Sequence, residues 1–162
     1  TIILRDRPEA VDEMKSVLVR LDVPSEARSS PTAINLDCHV IRASKEAVSR
    51  PDLPGNLTES LSRLTGWKHF EDLGMVAVRA STGAAVEAEV LLADEHQASL
   101  AFDRLSTSAD TLHIGTVVFR LQSQQLGSLH SLKTSTEVKD GEYTVIGAFG
   151  SVPYFLVIQA RY

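Results

Sequence analysis

The chain has 162 residues, of which 43% are apolar and 23% are charged, and its formal net charge is −5 at pH 7. These proportions are typical of a chain that folds around an apolar core, and they argue against intrinsic disorder. The acidic balance argues against nucleic acid as a partner, because a general nucleic-acid binder needs a clustered basic surface.

The first 24 residues carry the pattern of one strand followed by one helix. A short apolar run at Ile2 to Leu4 is typical of a buried strand, and Pro8 suits the first position of a helix, where its missing N–H costs nothing. Pro24 prevents the helix from continuing. Between the two prolines, apolar residues at helical spacing predict a single apolar stripe: Val11, Met14, Val17, Leu18 and Leu21.

Because the chain starts within this strand, we expect residues 1–24 to be the second half of a strand–helix unit. Such a half unit leaves a strand edge unpaired and an apolar helix stripe uncovered, so another surface must cover both. The sequence therefore predicts an interaction site for a protein partner at Val11, Met14, Val17 and Leu18. Residues 25–32 are mostly polar and include Pro31, which is typical of a linker.

The apolar period changes to two from Ala33, which predicts a half-buried strand. The only cysteine, Cys38, lies on the apolar face of this run, and His39 lies on the opposite face. A lone cysteine cannot form an internal disulfide. We interpret Cys38 as a buried, unreactive thiol that acts as a small apolar side chain.

A second, short helix is predicted where Leu57, Leu61 and Leu64 recur at helical spacing. Asn56 or Thr58 would cap its start, and Gly66 would end it.

The rest of the chain shows the period of strands. Val86, Ala88 and Val90 alternate with two glutamates that should face water. Residues 129–138 are polar, which is typical of an edge strand. Asp140-Gly141 predicts a tight hairpin that joins this strand to the next one. Repeated short strands with turn signals predict an antiparallel meander, a sandwich or a partial barrel. The predicted fold class is α+β: a strand–helix fragment over 1–24, a linker over 25–32, and a mainly antiparallel β domain with one short helix over 33–162.

No set of residues in the sequence has the spacing of a catalytic or metal site. None of the five histidines has a partner at metal-ligand spacing, and no Gly-x-Ser-x-Gly or glycine-rich phosphate loop occurs. We interpret Asp94-Glu95-His96 as a solvated loop, and Trp67 and Phe70 as core residues rather than a surface that stacks on a base or sugar. We therefore expect no enzymatic activity, no cofactor and no metal.

Two segments resemble the bacterial secretins, the ring-forming outer-membrane channels of type II and type III secretion and of type IV pili. The first resembles the closing strand and helix of their short periplasmic domains, with matches at Ile2, Ile3, Leu4, Asp6, Pro8, Glu9, Leu21, Asp22 and Pro24. The second is similar to the late secretin hairpin, with matches at Val138, Asp140, Gly141, Thr144, Val145, Ile146 and Gly147.

The resemblance implies a noncatalytic structural component of a bacterial envelope secretion or pilus assembly, located in the periplasm or outer membrane. Its partners would be protein subunits, either further copies of itself or ring components, and it would associate with a membrane only as part of an assembly. An alternative function is a small ligand-binding β domain, with an apolar pocket between the second helix and the sheet near Trp67 and Phe70.

Overall fold

The computed structural model describes residues 32–46, 53–123, 129–149 and 152–162, and all structural statements below concern those residues. The strand, helix and linker predicted before Thr32 lie outside them. The described elements are, in chain order, β1 (Ala33–Ser44), α1 (Gly55–Thr65), β2 (His69–Ser81), β3 (Val86–Leu91), β4 (His96–Ser108), β5 (Thr111–Ser123), β6 (Leu129–Lys139), β7 (Tyr143–Phe149) and β8 (Tyr154–Arg161).

The strands form two four-stranded sheets that pack face to face. The first sheet has the order β2-β1-β8-β7 and the second has the order β3-β4-β5-β6. Every strand pair is antiparallel. The last strand, β8, lies between β1 and β7, so the two ends of the described chain are paired within one sheet.

The predicted α+β class is wrong. Strands make up 70% of the described residues and helix only 10%, so the described protein is an all-β sandwich with one helix. The helix does not form a layer of its own, because it covers only one end of the first sheet. The period-two pattern therefore determines the architecture of this part of the chain.

The predicted hairpin at Asp140-Gly141 is also wrong, although the turn itself is present. Gly141 has a φ of 74°, which suits glycine in a tight turn. The strands on its two sides, β6 and β7, belong to different sheets and do not pair. Instead the Gly141 amide donates to the Ala160 carbonyl at 2.8 Å, so the turn carries the chain from the second sheet to the first.

The main core lies between the two sheets and follows the alternation seen in the sequence. Val86, Ala88 and Val90 of β3 pack against it, while Glu87 and Glu89 are exposed, which confirms the prediction for this strand. The largest fully buried side chains of this core come from three strands: Ile34 and Leu36 of β1, Leu100, Phe102 and Leu105 of β4, and Leu112, Ile114, Phe119 and Leu121 of β5.

The pairing of β1 with β2 is irregular at one point. Before this point only the inner face of the first sheet is covered, and beyond it the helix also covers the outer face. Val40 pairs with Gly74 and Ile41 with Asp72, which leaves Leu73 as an extra residue in β2. The Asp72 carboxylate fixes this bulge, because its Oδ2 lies 2.7 Å from His39 Nδ1 and its Oδ1 accepts from the Gly74 amide at 3.0 Å.

Helix α1 covers a second, smaller core on the outer face of the first sheet. Leu57 and Leu61 are buried against Ile41, Phe70 and Phe155, and the two phenylalanine rings meet edge to face at 6.1 Å. Gly66 ends the helix at a φ of 76°, as predicted.

The predicted N-caps of α1, Asn56 and Thr58, are wrong. Pro54 holds the N-cap position and no side chain caps it. The Pro54 carbonyl accepts instead from the amides of Leu57 and Thr58. The third leucine of the pattern, Leu64, is 72% exposed. The helix therefore buries a narrower stripe than its sequence predicts.

The Cys38 thiol is buried, as predicted. Burial, with a smaller contribution from the charge of Asp37, raises the pKa of the Cys38 thiol to about 12. The fold therefore favours the neutral thiol. The stability that the neutral thiol contributes is fully present below the pKa of the thiol in the unfolded chain, about 8.5. It is lost as the pH rises toward the pKa of the thiol in the folded protein.

We expect the native Cys38 thiol to be inert toward a chromogenic disulfide reagent at about pH 8 and to react once denaturant unfolds the chain. The measurement is absorbance of the released thiolate, with and without urea. In denaturation series above about pH 9, wild type should lose stability faster than Cys38→Ala, because only wild type ionises a thiol on unfolding. Rapid labelling of the native protein would contradict the buried placement.

Candidate functional site

One side of the sandwich is closed by hydrogen bonds that run between the two sheets. The Ala93 amide donates to the Leu73 carbonyl at 2.9 Å, and the Gly83 amide donates to the Leu105 carbonyl at 2.8 Å. The Leu92 side chain also packs onto the backbone of β2 at Gly74, where an added Cβ would lie 3.1 Å from Leu92 Cδ2. The segment after β3 is therefore tied to β2, and the β2–β3 turn is tied to β4.

The opposite side, between β6 and β7, is open. No strand pairing joins these two edge strands within the described residues. A groove of about 230 Å³, here called the seam, runs between them. It is lined by Leu132, Thr134, Ser135 and Thr136 of β6 and by Val145, Ile146 and Gly147 of β7.

Gly147 sets the width of the seam. Its φ is 63°, and it lies at an irregularity in the pairing of β7 with β8. A Cβ at this position would lie 2.6 Å from Leu132 Cδ2, so the tip of Leu132 would have to move, and the positive φ would strain any other residue.

A second groove, here called the helix groove, lies on the other face of β7. It measures about 490 Å³ between the helix and the β6–β7 turn. Its lining is mixed polar and apolar: Asn56, Leu57, Ser60 and Leu64 of α1, and Gly141, Glu142, Tyr143 and Val145 of the turn and β7. β7 is therefore flanked by a groove on each side of the sheet.

The two edge strands at the seam differ in how they are protected. β6 carries the exposed charged residues Lys133, Glu137 and Lys139, and charges of this kind commonly discourage a foreign strand from pairing. The sequence of β7, YTVIGAF, has no charged residue and no proline. Its only protection in sequence or backbone is the irregularity at Gly147.

A charged cluster lies at one end of the sandwich and joins residues of four strands and one loop. Arg42 of β1 contacts Glu71 Oε2 of β2 at 2.6 Å and Asp94 Oδ2 of the β3–β4 loop at 3.1 Å. The Tyr154 hydroxyl of β8 donates to the same Asp94 oxygen at 3.1 Å. His96 Nδ1 lies 3.1 Å from the other Asp94 oxygen.

Burial and the charge of Asp94 raise the pKa of the Tyr154 hydroxyl. Burial alone would lower the pKa of Arg42, but its hydrogen bonds with Glu71 and Tyr154 and the nearby carboxylates raise it instead. Both shifts keep the groups in the states that the cluster uses, a charged guanidinium and a neutral phenol. Both oxygens of Asp94 are already occupied, so the cluster is built to connect strands.

The interpretation of Asp94-Glu95-His96 as a solvated loop is wrong for Asp94, whose side chain is only 10% exposed. Its partners, Arg42 and Tyr154, lie 52 and 60 residues away in the chain. No sequence spacing could have indicated these contacts. Within the described residues, no group of three or more histidine, cysteine, aspartate or glutamate side chains is placed to hold a metal ion.

The interaction residues predicted on the first helix, Val11, Met14, Val17 and Leu18, lie outside the described residues, so that site stays a prediction. The apolar pocket predicted between the second helix and the sheet is occupied by side chains. Phe70 is 3% exposed and packs with the leucines of α1, and Trp67 packs against the edge of the same cluster. The helix–sheet interface is therefore a filled core at Phe70, whereas Trp67 is only partly buried there and also lines a groove outside this core.

The fold and its site define a class of protein: an antiparallel β-sandwich, closed along one side and open at an uncharged edge strand along the other. No family model matches the chain, and no curated protein matches it. No helix among the described residues is long and apolar enough to cross a membrane.

Among solved structures, the chain is similar to the Salmonella SPI-1 type III secretion injectisome secretin InvG in its open gate state, with a TM-score of 0.38 and 11% sequence identity. The similarity covers 96% of this chain and 63% of the InvG chain, so the chain spans less than two thirds of that secretin's length. A likeness of this size is weak and concerns the fold alone.

Proposed function

We propose that this protein is a noncatalytic structural component of a bacterial envelope secretion or pilus assembly, related to secretins, that acts through association of subunits. The proposed location is the periplasm or outer membrane. The envelope role is drawn from the resemblance of two sequence segments to secretins. The open side of the sandwich is the observation that supports association.

A strand added beside β7 would continue the first sheet. Because side chains of a strand alternate between its two faces, one set would enter the seam and the other would enter the helix groove. Both grooves offer apolar contacts, from Leu132 in the seam and Leu64 in the helix groove, beside hydroxyl and amide groups. The backbone edge of β7 would supply the hydrogen bonds and the two grooves the side-chain contacts.

We propose a second copy of this chain as the occupant. An edge strand without charges or proline is a ready template for pairing with another chain. The closed β2–β3 side and the charged β6 edge leave β7 as the best-suited described edge for this contact. No nucleic acid, cofactor or substrate is required for this role.

Thr144→Lys tests this proposal. Thr144 is half-buried on β7 and pairs with Ile158, whose side chain faces the main core. A lysine there would place an ammonium group on the edge strand β7, where an added strand would have to desolvate it. We expect self-association to weaken by at least about tenfold, measured by light scattering over a concentration series.

Thr107→Lys is the matched control. Thr107 is a half-buried threonine near the end of β4, in the second sheet, and is not part of the β7 edge. This variant should associate like wild type. A wild-type chain that stays monomeric at about 100 μM, or a Thr144→Lys variant that assembles unchanged, would contradict the proposal.

A further inference from the structure

A third groove lies at the C-terminal end of α1, away from β7. It measures about 320 Å³ and is here called the Trp67 groove. Its lining combines an indole ring, two ammonium groups, an imidazole and two hydroxyls: Ser44, Lys45, Thr65, Gly66, Trp67, Lys68 and His69. No aspartate or glutamate is among these lining residues.

The two lysines of this groove have no carboxylate partner among the described residues. Both side chains are exposed and neither takes part in an ion pair of the described part of the chain. Two arginines elsewhere are paired with carboxylates: Arg42 with Glu71 and Asp94, and Arg63 with Glu59 at 3.0 Å. In a chain with a net charge of −5, the Trp67 groove is therefore a local concentration of unmatched positive charge.

The end of the helix does not account for this charge. A helix C-terminus carries the equivalent of about half a negative elementary charge, and lysines nearby interact with it favourably. The Ser62 carbonyl is already satisfied by the Gly66 amide at 3.0 Å. Two full positive charges against about half a negative one leave a surplus of more than one positive charge, which favours an anionic ligand.

Trp67 adds an apolar surface to these cations. One part of the side chain packs against the small core under α1 and the rest lines the groove, so the ring is held in place before any ligand arrives. A bare anion would make no use of an aromatic ring. A sugar ring would, because its C–H face packs against an aromatic plane while its hydroxyls reach polar groups at the rim.

We propose that the Trp67 groove binds an anionic saccharide, with a sugar ring against Trp67 and its carboxylate or phosphate groups at Lys45 and Lys68. Charge-assisted hydrogen bonds from the ammonium groups would hold the anionic substituents. The site is separate from the seam and the helix groove, so it stands or falls independently of subunit association.

Trp67 is the only tryptophan of the chain, so tryptophan fluorescence reports on this groove alone. We expect tetragalacturonic acid to change the emission in a saturable titration at low salt, and added salt to weaken binding because the contacts are ionic. Uncharged cellotetraose should bind at least about tenfold more weakly. Equal binding of the two saccharides, or no saturable change with tetragalacturonic acid, would overturn the proposal.

The double variant Lys45→Gln/Lys68→Gln should weaken tetragalacturonic acid binding by at least about tenfold. The matched control, Lys133→Gln/Lys139→Gln on β6, removes the same charge from another exposed surface and should bind like wild type. If both double variants lost the same affinity for tetragalacturonic acid, the effect of charge would be nonspecific and the proposed site would be wrong. Inorganic phosphate that competes as well as the saccharide would reduce it to a bare-anion site and also overturn it.

Discussion

Replacing Phe102 with alanine should lower the free energy of unfolding by about 3–5 kcal/mol. Phe102 lies on β4, is 1% exposed, and packs in the main core between the two sheets. Removing the ring loses the favourable free energy of burying it away from water. It also leaves a cavity, because a core held by strands on both sides can collapse only in part. Urea denaturation followed by circular dichroism measures the change.

The matched control for this core substitution is Leu64→Ala. Leu64 is also a large apolar residue within a regular element, but its side chain is 72% exposed on α1. Its replacement should change stability by less than about 0.5 kcal/mol. If Phe102→Ala cost less than about 1 kcal/mol with an unchanged denaturant dependence, the placement of Phe102 in the core would be wrong.

Replacing Arg42 with methionine should cost about 2–4 kcal/mol, because it leaves the nearly buried carboxylate of Asp94 without its cation. The Arg42 side chain is 32% exposed, so water screens part of the interaction and the loss should fall below that of a fully buried pair. Methionine keeps most of the side-chain volume, so the loss reports on charge and hydrogen bonds rather than on a cavity.

Arg63→Met is the control, because Arg63 also pairs with a carboxylate, Glu59, but on the surface of α1. Its side chain is 75% exposed, and such pairs contribute less than about 1 kcal/mol. A double-mutant cycle with Asp94→Asn then isolates the Arg42–Asp94 interaction. Equal losses for Arg42→Met and Arg63→Met would show that the cluster does not connect the strands as its geometry indicates.

The geometry of this cluster also explains its role in the fold. Arg42, Glu71, Asp94 and Tyr154 come from β1, β2, the β3–β4 loop and β8, and they meet where the alternating apolar pattern of β1 gives way to polar residues. The cluster therefore ties three strands of the first sheet, β1, β2 and β8, to the β3–β4 loop of the second sheet.

The seam depends on how the strands are divided between the two sheets. β6 and β7 follow each other in the chain, yet they end different sheets and stay apart. If they had paired as a hairpin, the seam would be filled by backbone hydrogen bonds and β7 would have no free edge. The proposed association site therefore exists because the Asp140-Gly141 turn changes sheets.

The sequence by itself determined the local features of this protein. Alternation placed the buried and exposed faces of β3, the lone Cys38 was correctly assigned to the core, and Gly66 was correctly assigned to the end of a helix. Each of these features follows from a local property: the alternation of side chains along a strand, the apolar character of a cysteine side chain, and the freedom of glycine to adopt a positive φ.

Only the tertiary structure decided which strands pair, that the described fold is a sandwich rather than a mixed α+β domain, and that Asp94 lies inside a charged cluster. These features depend on contacts between residues far apart in the chain, such as Asp94 and Tyr154. An Asp-Gly turn has the same local chemistry whether the strands on its two sides pair with each other or separate into two sheets. The free energy that decides between the two comes from burying the faces of whole sheets, which no short stretch of sequence contains.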